Sequence, residues 1–312
     1  MALPFDIILR SRPITFVIGP NKTEYTVQAY ALTRLSSPLR VLLDGGMKEA
    51  NEGRVVWDDV DDHIFVHFIQ WAYTDDYVPA EPYTMPDATS VQLHASPTSE
   101  SPQSEKVFYS LQEKPLEAPA EHRTSTSRSN YYATDGSSPF CSSCCNYLQG
   151  CLRGCASLVD EHKLKSRVTR KGPAMVKDFV TSTDWAMHDT SFKPRLNKNP
   201  CEDYTIVFFC HASLYIIADK YDIGALSKLS MHRLHATLKA FTLYPSRMSD
   251  ILSLAAFVFE NTRDGDPIRL MIVHYCACIV EDLAKSEDYE PTLQNYPQFS
   301  SALMVKMSER LD

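Results

Sequence analysis

Glycine is scarce in this chain, with 10 in 312 residues. Loops that cradle a phosphate with backbone N–H groups use several glycines close together. Neither Gly-x-Gly-x-x-Gly nor Gly-x-x-x-x-Gly-Lys occurs. Gly-x-Ser-x-Gly and His-Glu-x-x-His are missing too. The chain is therefore expected to be no enzyme and to carry no cofactor.

Long apolar runs are also missing. The longest uncharged apolar stretch, Tyr204 to Ala218, contains His211 and Ser213. It is shorter than the roughly 20 residues a membrane helix needs, so no membrane span is expected. The opening residues show no basic start followed by a long apolar run, so no secretory leader is expected either. The 9 cysteines are odd in number and unevenly spaced. Without a leader they read as reduced thiols of a cytoplasmic or nuclear protein. Asn21-Lys22-Thr23 is then a chance sequon.

Positive charge is the minority: 31 Lys and Arg face 39 Asp and Glu, for a net charge of −8. That balance argues against a nucleic-acid partner, since phosphate binding requires a basic face. Acid gathers between Asp44 and Asp62, where only Lys48 and Arg54 oppose it.

Apolar residues make up 44% of the chain, enough for a sizeable core. Ile14-Thr15-Phe16-Val17-Ile18 predicts a strand, Gly19 to Lys22 a turn, and Tyr25 to Gln28 the returning strand. Short helices follow over Ala29–Leu35 and Pro38–Leu43, and Gly45-Gly46 stops the second. Val55-Val56-Trp57 is a third strand. Asp61 caps a helix that puts Ile64, Phe65, Phe68 and Ala72 on one face. The short run Phe5 to Leu9 reads as a strand or turn.

Composition changes at Pro79. Ser, Thr, Pro, Glu and Ala dominate from Ala80 to about Arg128. Such a segment buries too little apolar surface to offset its chain entropy. A low-complexity, largely disordered insertion is expected over 80–200. Helical order returns after it. Ile206 to Tyr221 is apolar nearly all round, the mark of a helix buried on most sides. Helices follow over 223–241, from Met248, from Pro267 behind Asp266, and over 299–311. The expected division is 13–79 and 201–241 as two parts of one α+β domain, with 242–312 as an all-α C-terminal extension.

These residues resemble a BTB/POZ domain of the fungal type. The likeness runs through Ile14-Thr15-Phe16-Val17-Ile18-Gly19-Pro20, Leu35-Ser36-Ser37-Pro38-Leu39 and Gly45-Gly46-Met47-Lys48-Glu49. It continues through Val55 to Asp61 and Phe65 to Thr74. After the insertion it resumes at Leu214-Tyr215-Ile216-Ile217-Ala218-Asp219-Lys220-Tyr221. The resemblance implies a BTB/POZ fold, a small sheet capped by helices, serving as a protein–protein interaction module. Members homodimerise or bind partners, and some are substrate adaptors for cullin-type ubiquitin ligases. In cullin-binding members a hydrophobic residue, any residue, then Glu follows the second helix pair. Met47-Lys48-Glu49 fits that pattern, which makes Met47 and Glu49 the candidate partner-binding residues. The alternative is a nuclear, transcription-associated regulator that uses the same domain for assembly. The chain departs from the family at Gln28, where a His is usual. The segment Met1 to Arg12 is also shorter than the N-terminal helix through which many dimeric members pair.

Within the insertion, Cys141, Cys144, Cys151 and Cys155 form pairs of metal-like spacing. The gap between the pairs is shorter than in most structural zinc sites, so the set reads as a reduced cysteine-rich patch. Lys163, Lys165, Arg167, Arg170, Lys171 and Lys177 form a basic run, of nuclear-import type or simply solvated. His232 and His235 lie three apart on a helix, a spacing that can bind metal. With no Glu-x-x-His partner they read as core or surface histidines.

Overall fold

The central strand β1 (Pro13–Ile18) buries Ile14, Phe16, Val17 and Ile18. Gly19 turns the chain with φ +65°, in the left-handed region, and donates its N–H to the Trp57 carbonyl at 2.9 Å. The chain returns as β2 (Thr23–Gln28), antiparallel to β1 with Phe16 opposite Tyr25. β3 (Arg54–Trp57) lies parallel to β1 on its other side, giving the order β2-β1-β3. The computed structural model describes residues 5–46, 48–84, 172–185, 187 and 192–310. It is a mixed α+β structure, mostly helical, with this small sheet.

Helices α2 (Ala29–Thr33) and α3 (Ser37–Asp44) follow the hairpin, then α4 (Lys48–Glu52) leads into β3. α5 (Asp62–Thr74) starts where Asp61 accepts a hydrogen bond from the His63 N–H at 2.8 Å. It buries Phe65, Phe68, Trp71 and Ala72, while Ile64 is only half-buried. The predicted face is thus turned slightly, toward Trp71. The run Phe5–Arg10 is a short helix, α1, rather than a strand or turn. Asp6 in its first turn and Arg10 in its last suit the helix dipole, and Ile8 is its one buried side chain.

Beyond Tyr77 the chain passes through β4 (Tyr83–Thr84). This strand pairs antiparallel with β5 (Glu202–Asp203), so the two ends of the predicted insertion meet. The long helices follow: α7 (Thr205–Lys220), α8 (Gly224–Ala240), α9 (Met248–Asn261) and α10 (Pro267–Cys278). Short α11 (Val280–Leu283) and α12 (Tyr289–Asn295) lead to α13 (Pro297–Ser308). Asp266 caps α10 by accepting from the Ile268 N–H at 3.1 Å, as its place before Pro267 predicts. Asp266 also accepts from the Tyr215 hydroxyl at 2.7 Å, which ties α10 to α7.

The described part of the 80–200 span includes packed structure. Residues Gly172–Thr181 form helix α6. Its Met175, Val176 and Phe179 are buried in the helical core. Three large apolar groups removed from water are worth several kcal/mol, at about 1.5–3 kcal/mol each. That burial offsets part of the chain entropy lost on ordering this segment. Residues 85–171, the greater part of the predicted insertion, lie outside the described residues.

Two hydrophobic cores result. One joins the sheet, α3 and α5 to Cys210, Leu214, Ile217 and Ala218 of α7 and to Leu226 and Leu229 of α8. The other joins α6, α9, α10 and α13 to Val207, Phe208, Ala212 and Tyr215 of α7 and to Met231, Leu234 and Leu238 of α8. α7 therefore serves both cores from opposite faces, which explains its apolar character all round.

Candidate partner-binding surface

Ser36 opens α3 by accepting from the Leu39 N–H at 3.3 Å, with Pro38 in the first turn. Leu39 and Leu43 face the core, leaving Ser37, Pro38, Arg40, Val41 and Asp44 outside. Val41 is 54% exposed, the most open aliphatic side chain of this helix. Gly45 ends α3 by donating its N–H to the Val41 carbonyl at 3.0 Å. A Cβ at position 45 would lie 2.2 Å from that oxygen, which no side chain tolerates. Glycine is required there because of this close approach.

Glu49 sits half-exposed in the first turn of α4, where a carboxylate meets the positive end of the helix. Ala50 anchors α4 in the interior, and Lys48 reaches Glu52 at 3.8 Å on the surface. Met47 lies outside the described residues, as do Cys141, Cys144, Cys151 and Cys155.

Sequence reasoning missed Arg12. Its guanidinium donates to the Ala50 carbonyl at 3.0 Å, to the Leu43 carbonyl, and to Asp44 at 3.5 Å. One side chain thus holds the end of α3 and the body of α4 on either side of residues 45–49. A lone Arg ahead of a strand carries no sequence signal for that role. Arg12→Ala is expected to cost about 1–2 kcal/mol, because two carbonyls lose charged donors. Faster amide exchange over residues 48–52, with β1 and β2 unchanged, is the measurement that checks it.

The second cluster lies at the seam between the two parts of the sheet core. Arg233 is 3% exposed, and its guanidinium carbon lies over two rings, 4.5 Å from the Tyr77 centroid and 4.7 Å from that of Phe192. It donates to the Tyr77 carbonyl and to Asp76. The Tyr77 hydroxyl meets His211 Nδ1 at 2.7 Å, and Thr237 lies 3.4 Å from His211 Nε2. Burial first, then the nearby Arg233 charge, pushes His211 down to about 3, so it stays neutral. Burial likewise pushes the Cys210 thiol up to about 11 and keeps the Tyr77 hydroxyl protonated. A cavity of about 150 Å³ opens beside His211, lined by Pro79, Pro82, Phe192, Pro194 and Tyr204. That is about half the smallest usual volume of a small-molecule site.

Among the described residues, no group of His, Cys, Asp and Glu is arranged to hold a metal ion, His232 and His235 included. No described helix is long and apolar enough to cross a membrane. No family model, curated protein or solved structure matches the chain.

Proposed function

We infer that the chain is a non-enzymatic protein–protein interaction scaffold of the BTB/POZ type, acting in the cytoplasm or nucleus. The carrying observation is the single core built by residues 14–77 together with 210–229, across the insertion. The α3–α4 corner of this body is tied by Arg12 to the Leu43 and Ala50 carbonyls. Two titratable groups beside the cavity suit packing better than chemistry. His211 is neutral, and the Cys210 thiol is kept protonated by burial.

The partner favoured for the α3–α4 corner is a cullin-type scaffold. An apolar residue 47 would enter a groove on that partner, and the Glu49 carboxylate would set register at the rim. Val41 and Asp44 extend the same exposed face. Recovery of a cullin-type scaffold on the full chain is expected to fall at least about tenfold in Met47→Ala/Glu49→Ala. A central apolar contact is worth about 2 kcal/mol or more. Equal recovery by wild type and variant, or by neither, removes the adaptor role. Intact stability of the variant in urea distinguishes lost contact from lost fold.

A further inference from the structure

Three histidines from two helices hold one piece of chain. α6 offers two backbone carbonyls four residues apart, hence on one face. The Met175 carbonyl lies 3.2 Å from His274 Nε2 on α10, and the Phe179 carbonyl 2.9 Å from His235 Nε2 on α8. Just beyond α6, the Met187 N–H donates to His232 Nδ1 at 3.1 Å. The Phe179 ring packs edge-on to both buried imidazoles, with centroids at 4.7 Å from His235 and 5.3 Å from His274. Trp185 closes over the same pair at 5.2 and 6.1 Å. His235 and His274 are 3% and 6% exposed.

A proton changes how His235 and His274 fit their surroundings. A neutral imidazole with its hydrogen on Nε2 can donate to a carbonyl and still sit among apolar rings. An imidazolium in that setting loses its hydration, a cost the apolar rings do not offset.

We propose that α6 and Trp185 form a strap latched by His235 and His274, seated at neutral pH and released by acid, baring Tyr275 and the two imidazoles.

Burial, more than the surrounding charges, sets this direction. Burial lowers His235 most, the bond to the Phe179 carbonyl opposes it in part, and the facing Lys239, His232 and His274 add to the lowering, which leaves it at about 4. His274 faces Lys306 and Glu309 of the C-terminal end and Asp178 of α6, the last at 3.7 Å. Burial first and then Lys306 lower it, and the bond to the Met175 carbonyl and the two carboxylates only partly oppose them. A group depressed in the seated state stabilises that state fully above its free value of about 6.5, and the stability is lost as pH falls toward the seated value. The window for release is therefore below about pH 6.5.

Limited proteolysis of the full chain tests this, using a protease active from pH 7.5 to 5 and mass spectrometry to score cuts within residues 174–180. Cuts elsewhere in the chain serve as the internal reference. His235 alone predicts a rise of about thirtyfold in open strap between those values, and cleavage follows the open population when reclosing is fast. In His235→Gln/His274→Gln the amides still donate to the carbonyls but do not titrate, so cleavage should stay low and nearly flat. A wild-type rise below about threefold, or an undiminished rise in the Gln variant, overturns the proposal. Should the variant be loose at every pH, the wild type decides alone by NMR. His235 and His274 protonating while the Phe179 and Val180 amides stay protected sinks the latch, whereas joint protonation and loss of protection upholds it.

Discussion

Trp57→Ala is expected to lower the stability of the full chain by about 4 kcal/mol, the range for a buried aromatic cut to alanine. Trp57 is 4% exposed, ends β3, and touches Phe16, Phe65 and Phe68 on its own side of the insertion. Across the insertion it stacks on Tyr221, with centroids 4.9 Å apart and ring planes 19° from parallel. The urea midpoint should fall, with the melting temperature down by roughly 10 °C. A double-mutant cycle with Tyr221→Ala should return a coupling of about 0.5–1.5 kcal/mol. A coupling near zero would mean that the two segments do not meet as described.

Arg233→Ala should cost about 3 kcal/mol. The loss has two parts. The Tyr77 carbonyl is left without its charged donor, worth about 1–3 kcal/mol. The space over the Tyr77 and Phe192 rings is emptied, which removes cation–π attraction and packing of about 1–2 kcal/mol. Asp76 adds little, since its side chain is 65% exposed and hydrates again. Arg233→Lys should recover less than half, because an ammonium cannot fork between a carbonyl and a carboxylate while also packing on both rings. Arg233→Met should recover more of the packing than of the hydrogen bonding. Denaturant midpoints of the three variants give the order Met and Lys above Ala, and an order with Ala at wild-type level would rule out these contacts.

Much of the architecture was legible in local sequence. The strands over 14–18, 25–28 and 55–57 alternate or branch as strands do, and the caps at Asp61 and Asp266 use short carboxylates ahead of apolar periodicity. The all-round apolar character of residues 206–221 pointed correctly to a helix buried on most sides. Helix α6 was not legible. Met175, Val176 and Phe179 span little more than one turn within a polar stretch, too short for a period to register. The roles of Arg12, Arg233, His235 and His274 were invisible for a different reason. Each acts on backbone carbonyls distant in sequence, a relation set by tertiary placement and not by spacing. At the candidate surface the Met47-Lys48-Glu49 pattern stood out only through the family resemblance. The bracket that holds its flanks came only from the structure.

The two-sided helix α7 has a consequence for how the chain can be divided. Cutting after Phe241 would strip the cover from Val207, Phe208, Ala212 and Tyr215 while leaving Leu214 and Ile217 seated on the sheet side. The amino-terminal fragment would then carry a sticky apolar back, prone to self-association. Melting of the intact chain should accordingly proceed in one step, since neither half can lose its partner helix without unravelling the other.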